Sequence, residues 1–225
     1  MNRFEDYFFN KPKTCSINKW IHYLEIYDRY FSKFIGTRPR ILEIGVASGG
    51  SLEMWNNYFN GECDIYGIDT NIHAKQHVAK LNAQNIHVDV GDQQDREFWK
   101  KYINEKQKFD IVIDDGGHTM QQQIVTFEEI YDYINEDGIY LCEDLHTSYI
   151  NEFGGGYKKS DTFIEYSKNF IDMLNAYHIR DEHCKDKFRK FRSVTKSVHY
   201  YDSVIVLEKG KNSPPSSKIM LATTV

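Results

Sequence analysis

The chain has 225 residues, 40% of them hydrophobic and 15% aromatic, enough for one substantial core and a small appendage. Its 28 Lys and Arg against 33 Asp and Glu leave a net charge of −5, which offers no general attraction for a polyanion, so no nucleic-acid partner is expected. No apolar run approaches the roughly 20 residues that cross a bilayer, and the opening MNRFEDYFFNKPK lacks the apolar stretch of a signal peptide; the expectation is a soluble, cytoplasmic protein.

Near the start, Ile17, Trp20, Leu24, Tyr27, Phe31 and Phe34 recur at steps of three and four. This spacing predicts an amphipathic helix with Ser16 as its N-cap and Gly36 as its stop, within an N-terminal helical segment over 1–38. Its apolar stripe suits the domain's core, a partner subunit or a substrate lid. From Arg40 the pattern changes to short hydrophobic runs that end in acids and glycines: RILEIGV, DIYGIDT, FDIVIDDGGH and GIYLCEDL. Longer polar, helix-like stretches separate them. Alternating strands and helices predict an α/β domain over 39–210, a mostly parallel sheet covered on both faces, with functional groups at the C-terminal ends of the strands. The basic stretch KDKFRKFRSVTK (185–196) is either a phosphate grip with interleaved Phe188 and Phe191 or a solvated face. SVHYYDSVIVLEKG (197–210) reads as a single closing strand, β-branched and aromatic, and 211–225, with its prolines and serines, as a loose tail.

The four cysteines, Cys15, Cys63, Cys142 and Cys184, form no CxxC pair and are expected to be reduced packing residues. His178, His183 and Cys184 lack a fourth ligand at standard zinc spacing.

The first run leads straight into Gly45, Gly49 and Gly50, where glycine lets the backbone approach a ligand or simply makes the turn. The spacing is not GxGxxG, so a nicotinamide dinucleotide is poorly supported. Asp69, at the end of the second run, has the position from which an acid accepts hydrogen bonds from both ribose hydroxyls of an adenosine. Asp92, after the third hydrophobic stretch, faces an adenine or caps the helix around Phe98 and Trp99.

Together these residues resemble the class I S-adenosylmethionine-dependent methyltransferases, with ExGxxxGxS after the first strand, an acid after the second and an Asp after the third. Over residues 40 to 208 the resemblance implies a Rossmann-like α/β fold, a mostly parallel seven-stranded sheet with a final antiparallel strand and helices on both faces. It implies S-adenosylmethionine held by Glu43, Gly45, Ser48 and Gly49 on the methionine side, Asp69 at the ribose and Asp92 by the adenine, with Asp114 also at the cofactor. IDDGGH followed by LCEDLHTSY is similar to a narrower group, the metal-dependent sugar O-methyltransferases of macrolide and bacterial surface-polysaccharide biosynthesis. That similarity implies Asp115, Glu143 and Asp144 as ligands of Mg2+, or of another divalent cation such as Mn2+, and His118 as the base. It further implies a sugar or glycan acceptor, nucleotide-linked or not, and a homo-oligomer. Some relatives carry an additional N-terminal domain for which this chain has little room, so substrate contacts outside the core do not transfer.

The chemistry leads to the same roles. A sugar hydroxyl is a poor nucleophile near neutral pH, and a hard cation on oxygen ligands acidifies and orients it. A neighbouring imidazole accepts the proton. Taken alone, IDDGGH is as well read as a capped turn, but adjacent acids closing the next buried strand are costly without a counter-ion. His146 and Tyr149 meet the sugar or pack a loop. Gly154, Gly155 and Gly156, between Phe153 and Tyr157, form a mobile cover or a plain connector. The alternative activities are methylation of a catechol-like phenol or, through 185–196, of a nucleic acid.

Overall fold

The computed structural model describes residues 1–180 and 185–220, so that His183 and Cys184 lie outside the described residues. Seven strands form one sheet: β1 (Arg40–Ile44), β2 (Asp64–Asp69), β3 (Ile86–Val90), β4 (Phe109–Asp114), β5 (Ile134–Cys142), β6 (Thr195–Tyr201) and β7 (Val204–Lys209). Their spatial order is β3-β2-β1-β4-β5-β7-β6. The first five pair in parallel, while β7 lies antiparallel between β5 and β6. This is the expected Rossmann-like sheet, with the reversed strand inserted one place in from the edge; the one strand read over 197–210 is instead a hairpin, β6 and β7 joined by a turn at Asp202 and Ser203. No described helix is long and apolar enough to cross a membrane.

Side chains on a strand alternate between faces, and this parity assigns the layers. Ile41, Ile111, Ile113, Ile139 and Leu141 point into one layer of the core with Tyr27 and Trp55. Leu42, Ile44, Val112, Tyr140 and Cys142 point into the other, with Trp99, Phe127 and Phe170. The same parity puts Glu43, within β1, and Asp115 and Glu143, one step past β4 and β5, on the first face, and Asp114, the last residue of β4, on the second. The register aligns these ends, with Glu43 beside Ile113 and Asp114 beside Cys142.

The first layer is closed by α1 (Arg3–Asn10), α2 (Tyr23–Phe31) and α3 (Gly50–Tyr58). Helix α1 begins at a capping box in which Asn2 and Glu5 exchange hydrogen bonds, and it lays Phe4 flat on Tyr58 at 3.7 Å between ring centroids. The spacing of 17–34 overstates its helix. Helix α2 starts at Tyr23, Ser16 caps nothing, and 15–20 cross the sheet's C-terminal edge as an irregular strap. Tertiary bonds hold the strap there. The backbone N–H groups of Thr14 and Cys15 donate to Glu53, each at 3.0 Å, and Ser48 Oγ donates to the Ser16 carbonyl at 2.7 Å. Gly36 does mark the end of the helical region, at φ 80°.

Elsewhere, Cys15, Cys63 and Cys142 are free and buried. The basic stretch begins as helix α8 (Lys185–Val194), whose Phe191 stacks on Phe170 at 5.3 Å and on Tyr131 at 5.6 Å between ring centroids. That aromatic packs in the core and is not free to stack on a base. Gly155 and Gly156 donate to the carbonyls of Ile150 at 2.9 Å and Ser148 at 2.8 Å, folding the glycine run back on the turn before it.

A Cβ on Gly50 would lie 2.2 Å from the Ser16 carbonyl oxygen, so no side chain fits under the strap. Gly50→Ala is expected to lower the unfolding free energy by about 1–3 kcal/mol. Urea denaturation measures this, and an unchanged midpoint would mean that the strap is not packed there.

Candidate active site

A cavity of about 420 Å3 opens at the C-terminal ends of β1, β2 and β4, the edge where open α/β sheets bind ligands. Of the residues expected at a cofactor, Gly45, Ser48 and Asp69 line it. Gly45 has φ 90°, and a Cβ there would lie 2.0 Å from the Asp115 carbonyl oxygen. The bare backbone is therefore what lets the first turn sit against IDDGGH. Asp69 braces the same turn, its Oδ2 accepting from the N–H groups of Val46 at 2.9 Å and Ala47 at 2.8 Å.

The remaining expected cofactor residues lie behind the cavity or outside it. Gly49, at φ 87°, shapes the entry to α3, its N–H donating to the Val46 carbonyl at 2.8 Å. Asp92 neither lines the cavity nor caps α5 (Arg96–Glu105). It accepts from the Gln94 N–H at 3.0 Å, and Asp95 is the cap. The residue after Asp92 takes the inner position instead. Gln93 is buried, lines the cavity, accepts from the Gly117 N–H at 2.8 Å and donates to Asp114 Oδ1 at 2.9 Å and Thr126 at 3.0 Å. Asp114 thus faces away from the cavity, and burial pushes its carboxyl up to about 7 against the hydrogen bonds from Gln93 and Tyr140.

On the other face the acids converge. Glu43 is fully buried; Ser51 Oγ donates to its Oε2 at 2.8 Å and Trp55 Nε1 at 3.0 Å, while its Oε1 has no hydrogen-bond partner among the described residues. Burial pushes this carboxyl up to about 7. Glu143 accepts from the Tyr27 hydroxyl at 2.7 Å and from Lys19 Nζ at 2.8 Å. Its pKa is raised, by burial first and by the Asp115 charge next. Lys19 also donates to Asp115. Burial alone would discharge this lysine, but the Asp115, Glu143 and Glu43 carboxylates outweigh it and hold it charged. Sequence reasoning missed Lys19, because the helical spacing of 17–34 places it on a polar helix face.

Asp115, His118 and Asp144 stand together at the rim, each offering a ligand atom within 4.8 Å of the others. His118 Nε2 is 3.4 Å from Asp144 Oδ2 and 3.8 Å from Asp115 Oδ1, and its buried Nδ1 has no partner among the described residues. His118 and Asp144 hold left-handed backbone, at φ 60° and 56°, a conformation that costs a side chain energy and marks turns built around a site. The Thr147 hydroxyl fixes the first turn by donating to the His118 carbonyl at 3.0 Å, and the Tyr23 hydroxyl donates to Asp144 at 2.9 Å. Two hard carboxylate oxygens beside the imidazole Nε2 suit a divalent cation. Glu143 stands apart from the expected set of three acids: its oxygens are turned inward, to Lys19 and Tyr27. His146 stacks on Trp20 at 4.9 Å between ring centroids and contacts Ser203 Oγ at 2.7 Å. Tyr149 is exposed.

Residues 42–145 match the family described as "Methyltransferase domain". These residues form a methyltransferase domain of this family, and the sheet has the class I, Rossmann-like form. It is 34% identical over 197 residues to mycinamicin VI 2''-O-methyltransferase of Micromonospora griseorubida, covering 83% of this chain and 47% of that protein. It is 32% identical over 205 residues to the 8-demethyl-8-(2-methoxy-alpha-L-rhamnosyl)-tetracenomycin-C 3'-O-methyltransferase of Streptomyces olivaceus, covering 86% and 50%. The fold superposes with a TM-score of 0.77 and 30% identity on the MycE methyltransferase from the mycinamycin biosynthetic pathway in complex with Mg, SAH and mycinamycin VI, covering 93% of this chain and 53% of that one. The chain thus spans about half the length of the relatives it matches.

Gln93→Leu keeps the bulk but strands Asp114 and the Gly117 N–H without their partner. Stability is expected to fall by about 1–3 kcal/mol, read by chemical denaturation; a loss below about 0.5 kcal/mol would show that the bridge is dispensable.

Proposed function

We propose that the protein transfers a methyl group from S-adenosylmethionine to a sugar hydroxyl, assisted by a divalent cation. The observation that carries this reading is the rim cluster of Asp115, His118 and Asp144, built on the strand ends next to the cavity that Gly45 and Asp69 line. The cavity suits the cofactor, with Asp69 placed for the ribose. Asp115 and Asp144 are the ligands for Mg2+ or Mn2+, and Glu143 becomes a third when its oxygens are released. A bound divalent cation supplies acidity to a coordinated hydroxyl. The residues of the chain do the rest. Asp115 and Asp144 fix where the acceptor oxygen stands, Tyr23 and Thr147 hold that geometry, and His118 takes the proton as the oxygen attacks the sulfonium methyl. Backbone at the glycine turn bounds the cofactor's side of the path.

The names of the relatives, which cite mycinamicin VI and a rhamnosyl tetracenomycin C, support a glycosylated natural product as acceptor; the sugars of capsule or lipopolysaccharide are acceptors of the same chemistry. His146 and Tyr149 line the approach to the acceptor in this reading, and the working form is a cytoplasmic homo-oligomer.

Asp115→Asn is expected to abolish methyl transfer to a sugar acceptor while S-adenosylhomocysteine still binds by calorimetry. A fully active variant would remove the cation from the mechanism. His118→Ala is expected to lower turnover by roughly 10^2–10^4 with cofactor binding retained; unchanged turnover would assign the base elsewhere. Methyl transfer to a simple catechol in place of a glycoside or nucleotide-linked sugar would overturn the acceptor class.

A further inference from the structure

Lys19 belongs to both halves of the site. Lys19 is one of the residues that line the cavity, and its buried ammonium is bonded to Asp115, one of the rim ligands, and to Glu143. An ammonium carries three N–H groups. Two are engaged by these acids, and the next acceptor, Glu43 Oε1, is 3.8 Å away, beyond hydrogen-bond reach. That oxygen is the one with no partner among the described residues. A buried cation short of an acceptor therefore sits beside a buried carboxylate oxygen short of a donor, just behind the cavity wall that Lys19 lines. The α-carboxylate and α-ammonium of an amino-acid end supply both.

The same ammonium competes with any divalent cation for Asp115 and Glu143, since a carboxylate oxygen donated to one is denied to the other. The strap backbone is pinned at Thr14, Cys15 and Ser16, but the four-carbon stem of a lysine can swing about such an anchor. Resting on the reading of the cavity as the cofactor site, we propose that Lys19 couples the two ligands. Drawn to the cofactor's α-carboxylate, it releases Asp115 and Glu143, so that cofactor and divalent cation bind with positive cooperativity. Linkage requires the effect to be reciprocal.

The test titrates Mn2+ into the full chain, following free Mn2+ by electron paramagnetic resonance, with and without saturating S-adenosylhomocysteine; calorimetry of S-adenosylhomocysteine with and without Mn2+ gives the reverse factor. In the wild type, S-adenosylhomocysteine is expected to tighten Mn2+ by about 5–150-fold, with the same factor in reverse. The analogue lacking the α-carboxylate is expected to leave Mn2+ affinity unchanged. Lys19→Met is expected to bind Mn2+ tightly without S-adenosylhomocysteine, with a coupling factor near one. A wild-type factor near one while both ligands bind overturns the coupling alone, and it is read without any variant. A Lys19→Met protein that binds both ligands weakly but keeps the wild-type factor makes Lys19 merely structural and also overturns the coupling. No binding of S-adenosylhomocysteine under any condition overturns the cofactor reading with it.

Discussion

The structure is governed by like charge collected at one edge of a sheet. Parallel register carries β1, β4 and β5 to the same level, and strand parity turns Glu43, Asp115 and Glu143 to one face. Such acids repel one another and lose hydration together, so the arrangement persists only if something else in the fold compensates. Lys19 is that compensation, and the departure of 15–20 from helix follows from it. The strap cannot both continue α2 and deliver an ammonium into the acid cluster. Hydroxyl and indole donors complete the shell, with Tyr27 on Glu143, Ser51 and Trp55 on Glu43, and Tyr23 on Asp144.

The two faces of the sheet divide the labour. Asp114, turned to the opposite face from its neighbour Asp115, meets Gln93 and Tyr140 and serves the turn, not the cavity. Gln93 in turn holds Gly117, so the backbone of IDDGGH is fixed from beneath while Asp115 and His118 are presented above. Left-handed backbone at His118 and Asp144 brings two adjoining loops to one rim. The strained turns, the bare backbone at Gly45 and the acids at the strand ends thus serve a single place.

Much of this was legible in the sequence. Strands β1, β2, β4 and β5 read plainly because buried parallel strands are nearly continuous apolar runs, and each carries an acid at or next to its C-terminal end. The resemblance carried by IDDGGH and LCEDLHTSY named Asp115, His118 and Asp144, which the fold brings together, and also Glu143, which it turns inward. Four features did not. Helix α1 was read only as an undivided part of the helical segment over 1–38, although Asn2 and Glu5 spell its capping box. Lys19 was hidden because Ile17 and Trp20 continue the three-and-four spacing of α2 by coincidence, and only long-range bonds to Glu53, Ser48 and the acids decide against helix there. Asp92 drew attention as the acid after a strand, whereas the next residue, Gln93, takes the inner position because side chains alternate at the strand's end. The inward turn of Glu143 likewise depends on Lys19 and Tyr27, which lie more than a hundred residues away.

The most direct test is crystallographic: anomalous diffraction at the manganese edge from crystals grown with Mn2+ and S-adenosylhomocysteine. The account predicts one manganese peak between the carboxylates of Asp115 and Asp144, with the nucleoside in the cavity beside Asp69 and the homocysteine end directed to Lys19. Manganese bound away from these carboxylates, or S-adenosylhomocysteine outside the cavity, would contradict it.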